Sequence, residues 1–177
     1  SAAIFTVAPP DAAGMCSFGS TVDLLPLLWP QIPIRVAHIN PAMPRTKGHP
    51  GIPFSALTAI VEREEALPSP RPETADQVSE AIARHVEPFV PDGATLQTGL
   101  GRVPGAILQA LRHKRGLRIH SGLIGDGVID LLEAGALAAD VPITAGVAIG
   151  SARLYASIGA DAFNFQPVTV THDAATI

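Results

Sequence analysis

Three glycine-rich segments carry the strongest chemical signal in this sequence: Gly99-Leu100-Gly101, the stretch from Gly122 to Gly127, and Gly150-Ser151. Glycine tolerates positive φ and lets backbone approach a ligand closely, and a helix starting just after such a turn aims its unpartnered N–H groups at it. A phosphate or a developing oxyanion is the chemistry such a turn serves. Each segment alone is also ordinary turn chemistry; three of them after strands of one sheet point to a ligand. Nucleotide fingerprints are poor. Gly99, Gly101 and Gly105 have the wrong spacing for the dinucleotide motif, and no Gly-Lys-Ser/Thr follows a glycine-rich loop.

The side chains near these turns offer few reactive groups. Arg102 suits bidentate phosphate recognition and is equally well explained as a solvated surface cation. His120 and Ser121 are neighbours on an expected strand and so face opposite sides, which argues against a nucleophile–base pair; packing at the strand end accounts for His120. Asp126 stands where a helix should start, and capping explains it. Glu133 falls about two turns into that helix, pointing away from the loop. Cys16 is the lone cysteine, read as a packed and inert thiol. It also excludes an internal disulfide framework and a multi-cysteine zinc cage.

The elements that must position these residues differ between the two ends of the chain. Twelve of the 17 prolines fall at or before Pro72. In that part Ala3–Val7 and Ile34–Ile39 read as strands, each stopped by proline, with Met15 to Leu28 offering one short helix and Leu57 to Glu65 a last strand. The segment Leu67-Pro68-Ser69-Pro70-Arg71-Pro72 favours a stiff, extended link. Residues 1–66 are therefore expected to end one α/β domain, residues 67–73 to form a linker, and residues 74–177 to open a second domain. Thr74-Ala75-Asp76-Gln77 reads as a capping box ahead of an amphipathic helix with Val78, Ile82, Val86 and Phe89 inward. Strands at 94–98, 117–120, 142–149 and 163–170 then alternate with a helix led by Pro104 and ended by Gly116, a helix from Asp126, and a short helix from Ser151 to about Gly159. This alternation predicts an α/β fold with a mostly parallel sheet flanked by helices.

Composition narrows the function classes. Hydrophobic residues make up 47% of the 177, and charged residues 16%, which excludes intrinsic disorder. The most apolar stretch, Leu24 to Ile34, is interrupted by Pro26, Pro30 and Pro33 and is too short to span a membrane. A net charge of −4 gives no footprint for nucleic acid. No secretory signal pattern occurs in this stretch, and the cytoplasm is the expected compartment.

Several motifs occur together in a family-specific order. Ala8-Pro9-Pro10-Asp11 with Gly14 and Cys16-Ser17-Phe18-Gly19, then Asn40-Pro41-Ala42-Met43-Pro44-Arg45-Thr46, resembles the acetyl-CoA hydrolase/transferase family of 4-hydroxybutyrate CoA-transferase-like proteins. Asp92 to Gly101 with Pro104 and Leu108 resembles the opening of that family's second domain. Ile119-His120-Ser121 and Asp126 to Gly135 resemble the segment carrying its catalytic carboxylate. The resemblance runs through nearly the whole chain.

The resemblance implies a CoA-transferase-like fold and thioester chemistry. In that family a glutamate attacks the acyl-CoA thioester, passing through an anhydride and a glutamyl-CoA thioester before CoA moves to a second acid. The glutamate follows His-Ser or His-Thr, and here that position is Gly122, which has no nucleophile. Hydrolysis is then favoured over transfer, with water in the space left by the carboxylate; the alternative is a non-catalytic CoA or acyl-CoA binding protein, or a subunit completing a larger complex. By resemblance the thioester cradle comprises Gly99, Leu100, Gly101, Arg102, Ser121, Gly125, Asp126 and Gly127, with no metal and no cofactor beyond the CoA thioester itself. Acyl-CoA or CoA and a small carboxylic acid are the expected partners, with neither nucleic acid nor membrane. The family's proteins extend further at both ends, so further chain segments or a homo-oligomer are expected to cover apolar faces and sheet edges.

Overall fold

The computed structural model describes residues 1–69, 73–139, 143–148 and 163–165. Its architecture is mixed α/β, with parallel sheets flanked by helices.

The first sheet is built from β1 (Ala2–Val7), β3 (Ile34–Ile39) and β6 (Ala59–Glu62), in the order β1-β3-β6 and parallel throughout. Pairing of Phe5 with Ala37, and of Ala37 with Ile60, sets one face of its register. Along these strands Val7, Ala37 and Ile39 are buried, while Ile4 and Ile34 on the other face are exposed. The expected helix between Met15 and Leu28 shrinks to α1 (Leu25–Leu28), because Met15–Cys16 form β2, paired antiparallel with β5 (Ile52–Pro53).

The second sheet has the order β4-β10-β9-β8-β7 and is also parallel: β4 (Lys47–Gly48), β7 (Thr95–Leu96), β8 (Arg118–Ile124), β9 (Ile143–Ala148) and β10 (Phe163–Phe165). An edge strand of this sheet, β4, thus comes from before the Pro-rich link. The crossovers carry α3 (Arg102–Ala110) between β7 and β8, and α4 (Gly127–Glu133) between β8 and β9. Leu108, Leu111, Leu117, Ile124, Val128, Ile129 and Leu131 pack with Val7, Cys16, Phe18 and Ile52 in one core cluster. Fully burying a leucine such as Leu117 contributes roughly 1.5–3 kcal/mol.

Four local expectations are corrected. The helix α2 (Gln77–Val86) is capped by Asp76, not by a Thr74–Gln77 box: Asp76 Oδ1 accepts from the Ser79 N–H at 2.8 Å and from its hydroxyl at 2.8 Å. An aspartate in extended conformation three residues before a free N–H makes the stronger, charge-assisted cap. The stripe Val78, Ile82 and Phe89 is not inward; Val78 is 68% and Phe89 84% exposed. α2 instead lies on α3 through its small buried residues, Ser79 and Ala83, which permit close approach. Strand β8 does not stop at His120 but runs through Gly122 to Ile124, since the ladder to β9 pairs Leu123 with Val147 and Ile124 with Ala148. Asp126 gives no side-chain cap to α4: its own φ and ψ, −54° and −31°, are already helical, which removes the extended geometry a capping side chain needs.

The helix expected to run to Gly116 ends at Ala110, and the basic run follows it in a 3-10 turn, Leu111–His113, and the loop beyond. His113 Nδ1 lies 2.9 Å from the Ala110 carbonyl, and Arg115 Nη1 donates to the carbonyls of Arg112, His113 and Lys114. Gly116 follows at φ 68°. The expected turn Gly150-Ser151, the helix after it, the remainder of the 163–170 strand and the centre of the Pro-rich link lie outside the described residues. Among the described residues no helix is long and apolar enough to cross a membrane.

Candidate functional site

In an open parallel sheet, ligands bind beyond the carboxyl ends of the strands, where chain turns into helix. Two such turns sit side by side here. Gly99-Leu100-Gly101 leads from β7 into α3, and Gly125-Asp126-Gly127 leads from β8 into α4. Together with α2 and α3 they enclose a cavity of about 780 Å³.

Six of the eight cradle residues expected from the sequence line this cavity: Gly99, Leu100, Gly101, Gly125, Asp126 and Gly127. The two glycines with structural necessity are Gly101, at φ 108°, and Gly127, where a Cβ would stand 2.8 Å from Leu108 Cδ1. The first lets the chain turn into α3; the second lets α4 start close against it. The wall from α2, which contributes Glu80, Ala83 and Arg84 to the lining, lies outside the residues expected from the sequence. The small residues Ser79 and Ala83, four apart on α2 and both buried, are the sequence pattern that marks this wall.

Arg102 does not line the cavity. Its guanidinium is engaged with Glu73 at 3.5 Å and Asp76 at 3.4 Å, all three more than half exposed, an ion pair of small energetic consequence. Asp76 is held below the ordinary carboxylate range, chiefly by the Ser79 N–H, then by the Ser79 hydroxyl, with Arg102 adding to both. The charged residues of the cavity lining are mostly acidic, Glu73, Glu80, Asp126 and Asp130 with Arg84, and of these Glu73 is paired with Arg102. Such a lining disfavours a phosphate and suits an uncharged portion of a ligand, which narrows the anion-binding expectation for these turns.

Ser121 and Gly122 are not in the cavity lining but on the strand that leads to it. Ser121 is 1% exposed, and its hydroxyl accepts from the Thr98 N–H at 3.2 Å and lies 2.9 Å from the Thr98 carbonyl. Thr98 is the residue immediately before Gly99. Gly122 is half-buried, and a Cβ built there meets nothing within 4 Å. His120 is exposed within β8, paired with Thr144, and so is not a packed strand-end residue; Ser121 beside it is buried, confirming that the two face opposite ways. Glu133 ends α4 in an exposed position. Cys16 is fully buried, and burial pushes its thiol above the ordinary range, as an inert packed cysteine requires. Among the described residues no group of three or more His, Cys, Asp or Glu side chains is placed to hold a metal.

Comparison with known proteins decides what this arrangement descends from. The chain is 38% identical over 135 residues to a 4-hydroxybutyrate coenzyme A transferase from Clostridium kluyveri, a match covering 76% of this chain and 32% of that protein. It is 37% identical over 139 residues to a succinyl-CoA:acetate/propanoyl-CoA:succinate CoA transferase from Fasciola hepatica, covering 76% and 28% respectively. This chain is a CoA-transferase homologue. A solved 4-hydroxybutyrate CoA-transferase from Porphyromonas gingivalis superposes with a TM-score of 0.89 at 28% identity, over 94% of this chain and 44% of that one. The fold of this CoA-transferase homologue is thus that of its solved relative, while the chain spans about a third of the length of the curated relatives it matches. No protein-family model matches the sequence.

Proposed function

We propose that this CoA-transferase homologue handles acyl-CoA, and that it hydrolyses the thioester in preference to transferring CoA to a second acid. The observation that carries the reading is Gly122: in the motif His120-Ser121-Gly122 the residue expected to supply an attacking carboxylate has no side chain, and the space beside it is open. Water in that space attacks the thioester carbonyl carbon. The C–S bond breaks, the thiol leaves with a proton, and the free acid is the second product. In this reading the Arg102 and Val103 N–H groups, at the start of α3, hold the oxyanion; Pro104 has no N–H and that of Gly105 is bonded to the Gly101 carbonyl. The acidic cavity receives the uncharged acyl and pantetheine portion, with the phosphates outside it.

The same observation favours a second reading, a CoA or acyl-CoA binding protein without turnover, alone or within a larger complex. Thiol release and CoA transfer, followed separately with acetyl-CoA and a second acid, distinguish these. Thiol release without transfer is the expected result. Neither activity, with CoA still raising the melting temperature, identifies the binder, and transfer faster than hydrolysis overturns the proposal. Gly122→Glu is expected to gain transfer, since the added side chain meets no neighbour at its Cβ.

A further inference from the structure

We infer that Ser121 is the positioning residue that fixes the Gly99-Leu100-Gly101 turn relative to position 122. The inference rests on the reading of this site as a thioester site.

The ladder between β7 and β8 is short: it pairs Thr95 with Arg118 and Leu96 with Ile119, and β7 ends there. Two residues further on, Thr98 lies alongside Ser121 without belonging to a strand, and its backbone groups need other partners. One hydroxyl supplies both. Ser121 Oγ accepts from the Thr98 N–H at 3.2 Å, and its proton is within reach of the Thr98 carbonyl at 2.9 Å. The same Oγ lies 2.6 Å from the Leu123 carbonyl. Its single proton therefore lies between two carbonyl acceptors, one on each side of the junction.

The consequence is geometric. Thr98 directly precedes Gly99, and the peptides from Ser121 to Leu123 bracket Gly122. A buried side chain thus spans position 122 on its own strand and fastens the start of the glycine turn to the neighbouring one. A turn containing Gly99 and Gly101 has little conformational restraint of its own. With the fastener gone, the distance between the turn's N–H groups and the reacting carbonyl beside position 122 is no longer fixed, and donors must stand within a few tenths of an ångström of their place to stabilise an oxyanion. Ser121 is 1% exposed and does not line the cavity, so its effect is on the turn and not on the chemistry itself.

The test compares Ser121→Ala with Ser121→Thr in the intact protein, by amide hydrogen exchange and by acetyl-CoA hydrolysis. In Ser121→Ala, exchange at Thr98 to Arg102 is expected to accelerate at least tenfold while amides in the middle of α4 keep their wild-type rates. Its kcat falls at least tenfold with KM within twofold of wild type, and Ser121→Thr, which keeps the hydroxyl, restores both. Wild-type exchange in the turn of a folded Ser121→Ala protein overturns the inference, as does equal loss in both variants. If the wild type hydrolyses no thioester, the reading of the site fails and the exchange measurement still decides whether Ser121 holds the turn.

Discussion

The two larger sheets are parallel, and both carry turns at the carboxyl ends of their strands, yet the two ends are made of different materials. After β1 and β3 the turns are held by side chains. Asn40, 2% exposed, donates from Nδ2 to the Glu65 carbonyl at 2.8 Å and accepts at Oδ1 from the N–H groups of Ala42 and Glu65. Arg45 donates to the carbonyls of Pro9 and Met15 and pairs with Asp11 at 3.1 Å. The depression beside them, lined by Pro9, Pro10 and Pro41, holds about 410 Å³. After β7 and β8 the turns are glycines, the volume is about 780 Å³, and a single hydroxyl joins one turn to the other strand. The difference is one of material: the turns of the second sheet are built of glycine around the larger cavity, whereas those of the first are closed by side-chain hydrogen bonds.

The largest expected effect comes from opening the closed end. Asn40→Ala leaves two N–H groups and one carbonyl without their partner in a part-buried turn, a loss of about 3 kcal/mol. For a chain of this length that lowers the melting temperature by roughly 6–12 °C. A shift below about 2 °C would show that the turn is held by something other than Asn40, and the contrast between the two ends would lose its basis.

A smaller effect is expected from closing the open end. Gly127→Ala places a methyl 2.8 Å from Leu108 Cδ1 and 3.3 Å from Leu108 Cβ, so α3 and α4 must part or Leu108 must change rotamer. The cost is about 1–2 kcal/mol in chemical denaturation. Adding Leu108→Ala removes the clashing atom, so the pair should cost about 1 kcal/mol less than the sum of its members. Strict additivity would mean that close approach is not what Gly127 serves.

The contrast also shows which features the sequence displays. The strands Ala2–Val7 and Ile34–Ile39 were legible because β-rich runs stop shortly before prolines, and α3 was legible from Pro104 and its apolar spacing, although it ends at Ala110, well before Gly116. The glycine turns at 99–101 and 125–127 were legible as turns, and six of their residues do meet at one cavity. What stayed hidden depends on tertiary pairing. Gly122 reads as turn and is strand, because its partners on β9 are distant in sequence. The stripe Val78, Ile82 and Phe89 reads as core and is exposed, because periodicity identifies an apolar face without saying what covers it. The acidic residues come from the segment before α2 (Glu73), from α2 (Glu80) and from the start of α4 (Asp126 and Asp130), and no spacing rule connects the first two with the last.

The smallest expected effect compares the two ends by acid. Asp11 is held below the ordinary carboxylate range first by the Met15 N–H at 2.8 Å, with the Ala13 N–H at 3.0 Å and Arg45 adding to it, while Asp76 is lowered by Ser79 and Arg102. For both, the folded value lies below the unfolded one. Their contribution to stability is therefore present above the ordinary aspartate value and lost as pH falls through the depressed folded value. Both carboxylates are exposed, so each effect is modest and weakened by salt. Asp11→Asn keeps an acceptor for the Met15 N–H but no charge for Arg45, and Asp76→Asn does the same at the start of α2. Melting temperature measured between about pH 2 and pH 6 should decline less steeply in each variant than in wild type. Because Asp11 fastens the closed end and Asp76 the wall of the open one, hydrogen exchange at low pH should separate them: loosening of Ala13 and Met15 in one case, of Ser79 and Glu80 in the other. An acid limb unchanged by either substitution would mean that these two carboxylates do not carry the acid response, and that the two ends part company only in backbone chemistry.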